Sequence, residues 1–494
     1  MTPLSRSALA TISQTVPVPT YRRDLVNTGI VHIGVGGFHR SHEAMYVDLL
    51  MQRGGSLEWG ITGVGLLPGD RHMAEVMRKQ DCLYTLILKH PDGSLEPRVI
   101  GSIVDYLFAP ERPDDVLGAM VAPSTRIISL TITEGGYHLN QVTGDFDATA
   151  PEVQHDLAPD VAPRTAFGFI AEALARRRAE GTPPFTVMSC DNIPGNGGVT
   201  RRMLTSFTSL KDPELAAWIG EHVRFPDSMV DRITPVTTDE DRHHLAQHFG
   251  VQDEWPVVCE PWTQWVLTDD FESARPDLED VGVQVVGSVE PYELMKLRLL
   301  NASHQAMCYL GYLAGYRFAH EVCADPLFVG FLNGYMEAEA TPTLPEVPGV
   351  DLVTYREQLI TRFANPHVRD TLARLCAESS DRIPKWLIPV VHDQLLRGGE
   401  VRRAALVVAA WARYAEGVDE EGEPIEIVDA RRDQLLDRAR RQSDDPLAFL
   451  RDQNLFGSLV DEPRFTDPYL KALRLLHEDG ARATLEAWVD SPTR

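Results

Sequence analysis

Three polar residues, Lys296, Asn301 and His304, stand in the otherwise apolar run PYELMKLRLLNASHQAMCYLGYLAG. At 3.6 residues per turn, Lys296 and His304 lie about 80° apart around a helix axis and Asn301 and His304 about 60° apart, so His304 falls between the other two. Leu294, Leu297, Leu300, Met307 and Leu310 fill the remaining surface, which predicts a buried helix with Pro291 in its first turn. A single such lysine is best read as a snorkelling side chain, and a single amide or imidazole as a satisfied core group. Three on one face favour chemistry, and the chemistry they suit is oxidation of an alcohol, in which carbon loses a hydride and oxygen a proton. A lysine desolvated in a pocket near a cation has its pKa pushed down and can act as general base near neutrality. Asn301 can donate to the oxygen as alkoxide character develops, and His304 can orient the same or a neighbouring hydroxyl. This scheme needs no metal.

The hydride needs an acceptor. Gly34-Val35-Gly36-Gly37-Phe38-His39 follows a short apolar strand (30–36) and opens a helical stretch (41–52) for which Ser41 is a candidate N-cap. In dinucleotide folds the first glycine permits the tight turn and the second lets the backbone approach a pyrophosphate at the helix N-terminus. His39 stands where the third Gly or Ala usually lies. The cofactor-binding candidates are therefore Gly34, Gly36, Gly37 and Phe38, with Asp70 beyond the second strand. A carboxylate there bonds the adenosine ribose and repels the 2′-phosphate of NADP, which points to NAD. Asp70 as a simple helix cap fits its position equally well.

These residues need a frame. A second apolar strand at 59–66, a helix-length spacer away from the first, gives the βαβ rhythm. Strands at 84–89 and 98–106 flank a Pro91-Asp92-Gly93 turn and read as a hairpin. Further strands are expected at 126–133, 185–190 and 281–289. Beyond residue 290 the periodicity becomes helical, at 291–314, 355–377, 385–398, 400–415, 430–441 and 468–489, while the acidic run 418–429 reads as a solvated loop. The fold class expected is α/β, a Rossmann-type N-terminal domain (1–288) plus a mainly α-helical C-terminal domain (289–494).

Composition bounds the partners. Seventy-two acidic against 47 basic residues give a net charge of −25, which argues against nucleic acid or an anionic membrane. The six cysteines lie at least fifteen positions apart with no C-x-x-C, and there is neither a signal-peptide apolar region nor a run of about 18 apolar residues. A cytoplasmic protein is expected.

GVGGFHRSHEAMY (34–46), TITEGGY (131–137), SCDNIPGNG (189–197), FPDSMVDRITP (225–235), EPWTQWV (260–266) and KLRLLNASH (296–304) resemble the polyol-specific long-chain dehydrogenases, the mannitol dehydrogenase family. ANPHVRDTLARLCAESSDRIPKW (364–386) and the acidic run 417–427 resemble its C-terminal motifs, and the motifs keep family order over residues 30 to 480. The resemblance implies an NAD-dependent, metal-independent monomer acting on a polyol or ketose, with its site in the cleft between the two domains. Motif wording and length point to interconversion of D-mannitol and D-fructose; fructuronate or tagaturonate reduction and D-arabinitol oxidation are the alternatives within the family. It implies Lys296 as base, Asn192 and Asn301 on the reacting oxygen, His304, Asp231 and Arg374 on other hydroxyls, and Glu293 in proton passage. Arg382 stands where a lysine is often found, a change that keeps the charge. Read without the resemblance, Asn192 could be a turn residue, Asp231-Arg232 a surface ion pair and Arg374 a surface residue.

Two readings from other classes compete. His244-x3-His248 has zinc-ligand spacing, but no third ligand cluster accompanies it and the adjoining Asp239-Glu240-Asp241-Arg242 suggests a solvated helix. A silent NAD-binding sensor would have no reason to bury the lysine.

Overall fold

The computed structural model describes residues 1–140 and 144–489. The chain divides into two compact units, Met1–Glu290 and Pro291–Arg494.

The first unit is built on five parallel strands: β1 (Thr28–Ile33), β2 (Gly60–Gly65), β3 (Ile103–Phe108), β4 (Ile127–Leu130) and β5 (Thr186–Ser189), in the order β3-β2-β1-β4-β5. This is the Rossmann arrangement. Both faces are covered, so the strands are mostly buried and largely apolar rather than strictly alternating. Val31, Val64, Ile128 and Leu130 pack on Phe167, Ile170, Leu174 and Phe207 of the helices on one side. Ile30, Ile61 and Ile127 belong to the core on the other side, with Val47, Met51 and Trp59. Chain order reverses at β1, which pairs with β2 on one edge and β4 on the other, so Gly34 at its C-terminal end lies at the topological switch point, where such sheets bind ligands.

Several expected boundaries move. The helix after β1 begins at Gly37 rather than beyond Ser41, and it breaks at His42 into Gly37–Ser41 and Glu43–Gln52. Ser41 is no cap; its hydroxyl donates to the Phe38 carbonyl. Tyr84–Lys89 and Leu95–Ile100 form the expected antiparallel hairpin, but the single strand expected at 98–106 is two. The chain changes sheet at Gly101-Ser102, where the Gly101 N–H is taken by Asp48 and the Ser102 hydroxyl by the Ala44 carbonyl. Of the strand expected at 281–289 only Gln284–Val286 forms. It pairs with Gln264–Thr268, which pairs in turn with Ser228–Asp231.

The second unit is helical. Ala302–Leu313 runs through its middle with every residue buried except Tyr312. The helix expected at 355–377 is interrupted. Leu352–Phe363 ends before Asn365-Pro366, and Leu372–Cys376 starts anew with Thr371 as its cap, because a proline removes a helical donor and disfavours helix in the residue before it. The stretch 468–489 is likewise two helices, Pro463–Glu478 and Gly480–Val489, parted at Gly480 with φ +81°. Among the described residues no helix is long and apolar enough to cross a membrane.

Candidate active site

The glycine turn is built for close approach. Gly34 has φ +96°, and a Cβ there would stand 2.2 Å from the Thr131 carbonyl oxygen, so only glycine fits. At Gly36 the nearest atom to a Cβ would be the Gly34 carbonyl oxygen at 3.9 Å, so the backbone is bare on that side. Thr131 Oγ1 donates to the Gly34 carbonyl at 2.7 Å, and Arg40 Nε to that of Gly36 at 3.3 Å. Phe38 stacks on His42 with ring centroids 5.0 Å apart. The stretch thus fits a pyrophosphate-bearing cofactor, with Gly37 opening the helix beside it.

Asp70 closes the short turn Pro68–Asp70 after β2. Its Oδ2 accepts the Leu67 N–H at 2.8 Å, so it does cap. Its Oδ1 makes no hydrogen bond among the described residues, which leaves an acceptor for a diol. The two sequence readings of Asp70 are therefore compatible.

Beneath the glycine turn lies a closed polar cluster that the sequence did not reveal. His32 and His39 stack with centroids 3.4 Å apart. Glu43 Oε2 lies 3.0 Å from His32 Nδ1 and 3.2 Å from His39 Nδ1, and it accepts the Ser129 hydroxyl at 3.0 Å. His32 Nε2 meets Thr131 Oγ1 at 2.8 Å. Burial holds His39 neutral down to about pH 3. Burial also pushes the Glu43 carboxyl up, but hydrogen bonds from both imidazoles outweigh it and hold the group well below the usual carboxylate range. Among the described residues this is the one group of three ligating side chains close enough for a metal ion, and its atoms already bond one another. His244 and His248 belong to no such group.

At the ends of β4 and β5, Asp191 collects donors. Its carboxylate accepts the N–H groups of Ile132 and Thr133 at 3.0 and 2.9 Å and the Tyr137 hydroxyl at 2.8 Å. Burial pushes the Asp191 carboxyl up against these bonds. Asn192 follows in the exposed turn beyond β5. Asp231 ends the strand Ser228–Asp231, is 4% exposed and accepts Trp262 Nε1 at 3.3 Å. Arg232 is buried too, donating to the Glu260 and Ser41 carbonyls, so the surface ion pair is excluded.

In the second unit, Lys296, Asn301 and His304 are all buried, at 6%, 9% and 8% exposure. The helix that carries them is not regular. Lys296–Asn301 is a π turn between Glu290–Met295 and Ala302–Leu313, and the Ala302 N–H bonds the Leu297 carbonyl five residues back. This corrects the α-helical angles. Five residues apart in an α-helix point about 140° away from each other, whereas the wider i→i+5 turn brings them toward the same face. Lys296 and Asn301 are therefore neighbours on one turn. Asn301 Oδ1 is buried with no hydrogen-bond partner among the described residues. The His304 ring lies 4.6 Å from that of Phe363. Glu293, half-buried, precedes Lys296 by three residues.

Arg374 caps no core. Its side chain is 54% exposed and forked onto Asp370 through Nε at 2.6 Å and Nη2 at 2.5 Å. Arg382 Nη1 donates to the carbonyls of Arg374 and Leu375, both at 3.1 Å. Gln305, which sequence reasoning passed over, donates to the same Leu375 carbonyl at 3.2 Å and so ties the Arg374 helix to the helix of His304.

Comparison with known proteins agrees with this division. Residues 28–280 match the mannitol dehydrogenase Rossmann domain and 288–476 the mannitol dehydrogenase C-terminal domain. A mannitol 2-dehydrogenase of Aspergillus fumigatus is 48% identical over 482 residues, 96% of each chain, and one of Aspergillus oryzae 46% over 99% of this chain and 98% of its own. Among solved structures, the Pseudomonas fluorescens mannitol 2-dehydrogenase in ternary complex with NAD and D-mannitol superimposes with a TM-score of 0.91 at 44% identity, covering 99% of this chain and 100% of that one. A D-sorbitol dehydrogenase in substrate-free form gives 0.89 at 36%, covering 98% and 100%. With its switch-point glycine turn, its buried lysine–amide π turn and these matches along almost its whole length, the chain belongs to the mannitol dehydrogenase family.

Proposed function

We propose that this protein is an NAD-dependent, metal-independent polyol dehydrogenase that interconverts D-mannitol and D-fructose, with Lys296 as general base. The observation that carries the reading is the π turn, which carries a buried amine and a buried amide at its two ends. NAD, when bound, supplies the hydride acceptor. Gly34, Gly36, Gly37 and Phe38 would hold it, and Asp70 would bond the adenosine ribose. Lys296 Nζ takes the hydroxyl proton as the carbon gives up its hydride. The Asn301 amide donates to the oxygen as it turns from hydroxyl to carbonyl, and Asn192 shares that task. His304, Asp231, Arg374 and Arg382 orient the remaining hydroxyls, and Glu293 passes the proton onward. Amine and amide thus do the proton and oxyanion work that a zinc enzyme assigns to its metal. The free, buried state of all six cysteines supports a reducing, cytoplasmic setting, and we expect a monomer.

A neutral polyol is favoured over a uronate because Arg374 is already neutralised by Asp370 and Arg382 Nη1 is spent on carbonyls. The relatives that carry the mannitol name lie at up to 48% identity and the sorbitol enzyme at 36%, which supports mannitol as first choice. The test is NADH absorbance with mannitol, arabinitol, sorbitol, fructose and fructuronate, with and without EDTA. Chelator-insensitive turnover of mannitol and fructose is expected, and Lys296→Ala should remove most of it while NADH still binds. Turnover confined to fructuronate would reassign the substrate, and loss with EDTA would remove the metal-free scheme.

A further inference from the structure

The catalytic π turn has a companion. Tyr335–Ala340 is a second π turn, in which the Thr341 N–H bonds the Met336 carbonyl five residues back. π-helix accounts for well under 1% of residues in globular proteins. A sequence adopts it where surrounding contacts outweigh the ordinary helix.

Those contacts link the two turns. The Tyr335 hydroxyl, on a fully buried ring, donates to the Arg298 carbonyl in the middle of the first turn at 3.3 Å. Arg298 reaches back through Nη1 to the Thr343 carbonyl at 2.9 Å and to Asp393 at 2.6 Å. The second turn is itself anchored. Glu339, 0% exposed, accepts the N–H groups of Arg403 and Ala404 at 2.6 and 2.8 Å, where the helix Arg402–Tyr414 begins. Gln394 Nε2 donates to the Ala338 and Glu339 carbonyls at 3.2 and 2.5 Å, satisfying groups that the widened turn exposes.

We propose that the turn Tyr335–Ala340 is the mould for the turn Lys296–Asn301, and that Tyr335 and Glu339 are positioning residues which hold the amine and the amide one π turn apart. They touch no substrate; they fix the backbone from which Lys296 and Asn301 project. The assignment rests on the reading of Lys296 as base.

The experiment uses the full chain, with Tyr335→Phe and Glu339→Gln as variants and Lys296→Ala in parallel. It records kcat and KM for mannitol, NADH affinity by fluorescence titration, melting temperature, and the pH profile of mannitol oxidation. Displacement of reacting groups by a fraction of an ångström lowers turnover steeply, so Tyr335→Phe should lose about tenfold in kcat, with NADH affinity within about twofold of the parent. The acid limb of its pH profile, which reports the base, should move. Glu339→Gln should change both in the same direction. The proposal is overturned if both variants keep the parental kcat and acid limb, or if they lower only melting temperature while folded enzyme turns over normally. Should Tyr335→Phe not fold, Glu339→Gln decides alone. If Lys296→Ala retains turnover, the base assignment has failed and the positioning role falls with it; a dead Lys296→Ala beside unaltered Tyr335→Phe and Glu339→Gln refutes the mould alone.

Discussion

The carboxylate of Asp191 holds the backbone N–H of Thr133 at 2.9 Å, and Thr133 is a β-branched residue at φ +59°. A left-handed conformation costs an L-residue about 1–2 kcal/mol, so the bond and the strain oppose each other at the end of β4. Two substitutions separate them. Asp191→Ala strands the N–H groups of Ile132 and Thr133, while the Tyr137 hydroxyl keeps Ser189, and should lower unfolding free energy by about 2–4 kcal/mol. Thr133→Gly keeps the N–H and relieves the strain, so it should leave stability level or raise it by up to about 1 kcal/mol. Urea denaturation measures both, and a loss of equal size in the two variants would mean that the tie does not set this turn.

Asp70 offers Oδ1 while Oδ2 caps its own turn. Asp70→Ala should narrow the preference for NAD over NADP, read as the ratio of kcat/KM with the two cofactors. An unchanged ratio would assign ribose reading to another group. The loss of the cap alone should cost about 1 kcal/mol, a separate signal visible in the melting temperature.

Acid should weaken the first unit. His39 has its folded pKa lowered to about 3 by burial, against an ordinary value of 6.5. The unfolded chain therefore binds the proton more readily, so this contribution is complete above pH 6.5 and is lost as pH falls toward 3. Glu43, also held below its ordinary range, adds a loss of the same sign at lower pH. Urea midpoints of the parent should fall steadily from neutrality into the acid range, and His39→Gln should flatten that slope. A slope identical in the variant would place the acid sensitivity elsewhere.

Glu339 has the opposite sign. Burial raises its carboxyl from 4.5 to about 7, against the pull of two backbone N–H groups and Arg403. The folded chain binds this proton more tightly, so its contribution is fully present below pH 4.5 and is lost as pH rises through about 7. Glu339→Gln, which mimics the protonated acid, should remove that loss, and the gap between variant and parent in thermal melts should widen from pH 5 to 8. A gap independent of pH would refute the assignment.

What the sequence disclosed follows from where each signal resides. Lys296, Asn301 and His304 stand out because polar residues in an apolar helix are visible along the chain itself. The π turn beneath them is not, since it depends on Tyr335 and Glu339, whose contacts cross tens of residues. Gly34 was legible from the strand before it, whereas the Glu43 cluster is assembled from β1, β4 and the two short helices after the glycine turn, and only its His39–Glu43 pair is local in sequence. Arg232 reads as a surface residue until the Ser41 and Glu260 carbonyls, brought in from distant segments, surround it. The break at Asn365-Pro366 was written in the sequence and overridden by helical periodicity on either side. The sheet change at Gly101-Ser102 was hidden inside a continuous apolar run.

The helix Ala302–Leu313, enclosed on all sides save at Tyr312, bears on how this protein fails. A segment so enclosed opens only when the unit around it unfolds, and its amides exchange with solvent at the rate of global opening. His304 rides on that helix and Asn301 adjoins it, so the reacting groups belong to the slowest-exchanging part of the second unit. Heating should therefore produce no inactive but folded species of that unit: loss of turnover and loss of structure arrive together.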